Sequence, residues 1–157
     1  MPMLKKLQKL LEDNKVKYEE INHRIVYTAH DKAVTLKIAE KVIGKTLVVK
    51  FDKSMALVLI SANKNLDKQK LKKIAKSKKI DFAKEAWMKK NLKGVKLGSV
   101  PPFGTLWKLP TFIDRGLLKE KKVIVSSGAY NSSIKLNTII FKKIIPDLVI
   151  SNFVKRR

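Results

Sequence analysis

Three groups of residues in this chain have types and spacing that could do chemistry. The first lies in "KLGSVPPFGTLWKLP", Lys96 to Pro110, where lysine gives way to glycine, proline and aromatic residues. Gly98 permits backbone dihedrals that other residues reach only at a cost. Pro101 and Pro102 fix the chain and bring no amide donors of their own. The expected result is a rigid loop whose Gly98 and Ser99 amides face a ligand, an arrangement suited to a tetrahedral oxyanion. The second group is Ser126, Ser127 and Gly128 in "VIVSSGAYNSS". A strand end with so little side-chain bulk suits the close approach of a ligand. The third is Lys45, beside Gly44 at the start of the apolar run "KTLVVKF", where a lysine can face a cleft mouth instead of bulk water. A tight connection, a hairpin turn and a solvated lysine are the plain alternatives, and residue chemistry alone leaves them open.

Other chemistries find less support. The absence of Cys removes disulfides, thiolate nucleophiles and cysteine-ligated zinc. His23 and His30, the two histidines, are too few for a histidine-rich metal centre. A serine–histidine–acid triad needs a base beside its nucleophile, and no spacing pairs Ser99, Ser126 or Ser127 with either histidine. Asp114, between a short strand and "RGLL", reads as a helix N-cap. Neither nucleotide-binding glycine pattern occurs; "IGKT" at 43–46 lacks the earlier glycine of a phosphate loop and leads into a strand.

The elements that must hold these residues follow from periodicity. Leu4, Leu7, Leu10 and Leu11 recur at helical spacing and predict an amphipathic helix ending near Asn14. "VKYEEINH" reads as a short strand, and "TAHDKAVTLKIAEKV" as a helix that Thr28 could cap. "KTLVVKF" and "MALVLISA" are the clearest strands, joined by the turn "DKS". "NLDKQKLKKIAKSKK" and "FAKEAWMKKN" read as helices, the first carrying Leu66, Leu71, Ile74 and Ala75 inward. "TFID", "KVIVSSG", "SSIKL" and "DLVIS" read as strands, "NTIIFKKII" as a helix, and the tail "VKRR" as a frayed, solvated end. Adjacent strand pairs with helices between them predict an α/β or α+β fold with a mixed sheet. The length of 157 residues fits one domain over 1–157.

Charge is the outlier of the composition. Lys and Arg number 36 against 13 acids, a formal net charge of +23. Part of that excess fits a coding bias toward Lys, Ile and Asn, but its origin does not remove the field. Such a field attracts polyanions, and the usual partner is nucleic acid. No run approaches the about 20 apolar residues of a membrane span, and "MPMLKKLQKLLEDNK" lacks the apolar core of a signal peptide. The expectation is a soluble cytoplasmic protein with no membrane partner.

Taken together, the segments "YTAHDKA", "GKTLVVK", "LISANKNLDKQKLKKIA", "GVKLGSVPPFG", "TFIDRGLL" and "VIVSSG" resemble, in order and spacing, the YbaK/ProX family of aminoacyl-tRNA deacylases. That family includes the editing domain inserted in bacterial prolyl-tRNA synthetases. The resemblance runs from about His23 to Ile150 and implies a mixed, partly barrel-like sheet surrounded by helices. It implies hydrolysis of the ester joining a wrong amino acid to tRNA, by water, with no metal, cofactor or covalent nucleophile. On this reading Lys45, Gly98 and Ser99 carry the reaction, Lys45 by gripping the tRNA 3′ end. Thr28, Thr46, Pro102, Ser126, Ser127 and Gly128 would contact the substrate. The partners would be mischarged tRNA and prolyl-tRNA synthetase, and the pocket would suit Ala, Cys or Pro. Ser99 stands where many members have a second glycine, Val95 follows Gly94 where an aromatic is common, and Ser133 lies near an acid of some members. The alternatives are a non-catalytic tRNA-binding or synthetase-associated module, and a hydrolase of small free esters.

Overall fold

The computed structural model describes residues 3–156. The first helix, α1 (Lys5–Asp13), buries Leu7 and Leu11 as its periodicity predicts. A short strand, β1 (Tyr18–Asn22), leads to α2 (Ala29–Leu36). Thr28 caps α2, its Oγ1 accepting the Asp31 amide at 3.0 Å. The helix stops before Lys37, which turns left-handed, so it is shorter than the expected run to Val42.

β2 (Gly44–Phe51) and β3 (Ser54–Ser61) form the expected antiparallel hairpin. The next segment departs from expectation. Lys64–Leu66 is a strand, β4, and α3 (Lys68–Ala75) starts after Asp67, whose Oδ1 accepts the amides of Gln69 and Lys70. Leu66 is therefore buried from a strand and not from a helix. β5 (Ile80–Phe82) and α4 (Glu85–Asn91) follow, then β6 (Thr111–Asp114), β7 (Lys122–Ser126), β8 (Ser132–Asn137), α5 (Ile139–Ile144) and β9 (Val149–Ser151). The tail is a further strand, β10 (Val154–Arg156), paired antiparallel with β4 and not frayed; Arg157 lies outside the described residues.

These strands make a mixed α+β fold, as expected. A five-stranded sheet has the order β5-β2-β3-β6-β9, parallel at β3–β6 and β6–β9 and antiparallel elsewhere. A three-stranded antiparallel sheet has the order β1-β8-β7, and β10-β4 is a two-stranded ribbon. No sheet of the described residues closes into a barrel. A parallel bridge from Ile43 to Ile124 joins the start of β2 to β7.

Alternation along β2 divides the core. Val49 and Phe51 pack toward α3 with Leu71, Ile80 and Phe153, while Val48 packs on the opposite face with Leu57, Leu92 and Val100. The largest cluster brings Leu7 and Leu11 against Phe103, Val125, Ile134 and Phe141. Each such fully buried side chain stabilises the fold by about 1.5–3 kcal/mol. Asp114 is buried, but its role differs from the expected cap: Oδ2 accepts the Gly116 amide and Oδ1 the Phe153 amide, both at 3.0 Å. The carboxylate thus ties the end of β6 to the segment before β10. No helix among the described residues is long and apolar enough to cross a membrane.

Candidate functional site

Three segments from distant parts of the chain meet at the end of β7. The Val26 amide donates to Tyr130 O and the His23 amide to Asn131 O, each at 3.0 Å, which fastens the approach to α2 onto the β7–β8 loop. The Lys96 amide donates to Gly128 O at 3.0 Å, which brings the glycine–proline loop to the same place. Tyr27 and Tyr130 meet edge to face with centroids 4.8 Å apart. Two glycines permit this closeness. Gly98 has φ +86°, and a Cβ there would stand 3.0 Å from Tyr27 O. Gly128 has φ +101°, and a Cβ there would stand 3.0 Å from Leu4 Cβ. Thr28, Gly98 and Ser126–Gly128 therefore lie on segments that meet.

The amides of the loop differ from expectation in one respect. Ser99 is buried, and its amide donates to Lys96 O at 2.9 Å, closing a turn. It is not turned to a ligand. The Gly98 amide has no partner among the described residues, and Gly98 is exposed. Pro101 and Pro102 are buried, so Pro102 shapes the loop from beneath. Ser127 also has a structural place: it is fully buried, and its hydroxyl donates to Ser132 O at 2.8 Å across the hairpin. This leaves Ser126 as the serine hydroxyl of that strand end with a different environment.

That environment contains a lysine which sequence reasoning missed. Lys32, one turn into α2 from Thr28, is only 6% exposed, and its Nζ donates to Ser126 Oγ at 3.3 Å. Burial pushes its pKa down from 10.5 to about 8, because the charged form loses hydration. In a chain with 36 basic residues, spacing alone does not single it out; its one signal is the inward neighbour Ala33. A histidine–serine pair is also present, but with Ser133 and not with Ser99, Ser126 or Ser127. His23 Nε2 lies 2.9 Å from Ser133 Oγ, and Nδ1 lies 2.7 Å from Arg24 O. A carbonyl can only accept, so Nδ1 carries a proton, and in the neutral ring Nε2 accepts from the serine. Ser133 is fully buried, which makes the pair a strand-to-loop tie. His30 pairs with Glu40 at 2.8 Å. Among the described residues no three of His, Asp and Glu gather where they could hold a metal ion.

Lys45 and Thr46 stand at the start of β2 and point to opposite faces. From the Ile43–Ile124 bridge, two residues onward in each parallel strand lie Lys45 and Ser126, on the same side. Lys45 Nζ donates to Lys64 O at 3.4 Å and lines a pocket of about 550 Å³ with Asn65, Asp67, Lys68, Phe82 and Lys155. Thr46 shares its face with Val48, against which Val100 of the glycine–proline loop packs. Its Oγ1 is buried without a hydrogen-bond partner among the described residues. The two neighbours thus lie on opposite faces of β2, a consequence of strand alternation.

An α+β domain that gathers small-residue strand ends and a glycine–proline loop at the end of β7, with Lys45 on the side of Ser126, is the class that this fold and site define. The chain belongs to the family of aminoacyl-tRNA editing domains, whose family model matches residues 23–143. Among solved structures it is similar to the hypothetical protein APE2540, with a TM-score of 0.86 and 21% identity over 96% of this chain and 100% of that one. It is also similar to a protein provisionally identified as a trans-editing enzyme for prolyl tRNA synthetase, with a TM-score of 0.80 and 22% identity over 96% and 95% of the two chains. It spans 31% of a signal transduction protein, so identified provisionally, from Marinobacter aquaeolei VT8, with a TM-score of 0.76, 14% identity and 98% of this chain covered. At these identities the solved structures establish the fold. No curated protein matches the chain.

Proposed function

We propose that this chain is a trans-acting aminoacyl-tRNA deacylase, which hydrolyses the ester of tRNA mischarged with a small amino acid, Ala, Cys or Pro. The observation that carries this reading is the amide of the exposed residue Gly98, a donor without a partner among the described residues, held against Tyr27 beside the end of β7. An amide donor fixed before the reaction begins stabilises the oxyanion that forms when water attacks an ester carbonyl. The family and the trans-editing relative support the substrate class. Lys45, on the side of Ser126, holds the phosphates of the tRNA 3′ end, and the +23 field draws the tRNA in. Thr46 Oγ1, which has no partner among the described residues, contributes a polar contact from the loop side. For Ala or Cys, prolyl-tRNA synthetase is the partner that would supply the mischarged tRNA, and the cytoplasm the compartment where the two would meet.

The test is deacylation of labelled tRNA charged with Ala, Cys or Pro by the purified chain in EDTA. Selective loss of one ester supports the reading and names the substrate. Survival of all three while tRNA remains bound overturns it in favour of a non-catalytic tRNA-binding module.

A further inference from the structure

The pocket that Lys45 lines has features that ester hydrolysis at Gly98 does not use. Phe82, at the end of β5, pairs with Val49 of β2 and so stands on the same face as Lys45. It is 52% exposed, one of the few large apolar side chains left in solvent. Lys68, the first residue of α3, lays Nζ over one face of the ring, 4.8 Å from its centre, so a stacking partner takes the other face or displaces the ammonium toward its own phosphates. Across the pocket, β10 pairs with β4 so that Lys155 faces Asn65, and both line the opening. Three lysines therefore line one pocket with an exposed aromatic ring, together with Asn65 and Gln69. The one acid in the lining, Asp67, has an oxygen committed to the start of α3. The pocket is about 550 Å³, room enough for a nucleotide.

We propose that this pocket is a nucleotide subsite, in which an unpaired base of a single-stranded RNA end stacks on Phe82 while Lys68 and Lys155 hold the flanking phosphates. A π-face accepts any base, which suits an end common to many RNAs, and ammonium groups supply the charge complement of the backbone. Lys45 belongs both to this pocket and to the side of Ser126, so the stacked nucleotide neighbours the one that carries the ester. This subsite rests on the deacylase reading for the identity of the RNA, but not for its existence. It also gives β10 a role: the strand carries Lys155 to the wall of the pocket.

The experiment uses an RNA hairpin with a single-stranded 3′ CCA end that carries 2-aminopurine in its last three positions, one at a time. Binding to the wild-type chain is expected to quench one of the three. Phe82→Ala, a change at an exposed position, is expected to abolish that quench and weaken binding by about 5- to 100-fold, the range measured for stacked bases. Its salt slope should match the wild type, whereas Lys68→Ala and Lys155→Ala should each lower the slope by about one. Unchanged affinity and quench in Phe82→Ala would overturn the proposal. So would equal binding of a blunt hairpin without the overhang, or displacement of the RNA by millimolar free AMP, which would mark a site for free nucleotides. If the wild type quenches through Phe82 yet hydrolyses no aminoacyl-tRNA, the deacylase reading falls and the subsite stands. If Phe82→Ala deacylates with unchanged kcat and KM, the subsite falls and the deacylase reading stands.

Discussion

The ammonium of Lys32 lies 3.3 Å from the hydroxyl of Ser126, and both side chains are buried. No ion pair of the described residues includes Lys32. On its own helix His30 pairs with Glu40, and Asp31 is exposed with its amide on Thr28. β7 offers the Ser126 hydroxyl. A buried lysine with one neutral partner destabilises the fold whenever it is charged.

That cost sets a pH dependence. The unfolded chain holds the Lys32 proton up to its ordinary 10.5, whereas the folded chain releases it near 8. Between these values the unfolded state binds more protons, so stability rises with pH. Below about 8 both states are protonated and the full penalty, about 3 kcal/mol, is present. Lys32→Met should therefore stabilise the protein at pH 7 and lose most of that advantage by pH 10.5. Urea melts at the two pH values measure it, and an equal gap at both would sink the assignment.

Lys45→Ala should leave the thermal midpoint within about 2 °C, since a half-exposed strand-end side chain adds little to the core. Deacylation kcat/KM should fall by about 10- to 100-fold, the worth of a charge-assisted contact. Unaltered turnover in a folded variant would remove Lys45 from the site.

Gly98→Ala places a Cβ 3.0 Å from Tyr27 O at φ +86°. The strain should lower stability by about 1–2 kcal/mol. Turnover should fall further, by about 100-fold, as the remaining loop amide is turned away. Thermal melts paired with single-turnover deacylation separate the two effects, and a loss of stability without loss of rate would argue against an oxyanion role.

Ser127→Ala removes the 2.8 Å bond to Ser132 O between two fully buried residues. Stability should drop by about 1–3 kcal/mol, because the carbonyl is left without its partner. The rate of the folded fraction at low temperature should be that of the wild type. A selective loss of activity without loss of stability would return Ser127 to the substrate contacts.

Much of this fold can be read from nearest neighbours in the chain. The leucines of α1, the Thr28 cap and the β2–β3 hairpin depend on side chains within a few residues, so periodicity and turn chemistry report them. The basic field needs only composition, and Gly98 needs only its type. The opposite faces of Lys45 and Thr46 were also within reach, since alternation follows from strand geometry.

What escaped sequence reading depends on residues far apart. Lys32 and Ser126 are separated by 94 positions, and nothing near Lys32 announces that a helix will turn it inward. β4 and β10 have three residues each, too few for a pattern, and they become strands by pairing with each other across the chain. The Ser99 amide looks free in the sequence and is taken by Lys96 O once the turn closes. Local preference is carried by neighbouring side chains, whereas burial, pairing and the fate of a donor are settled when distant segments exclude water together.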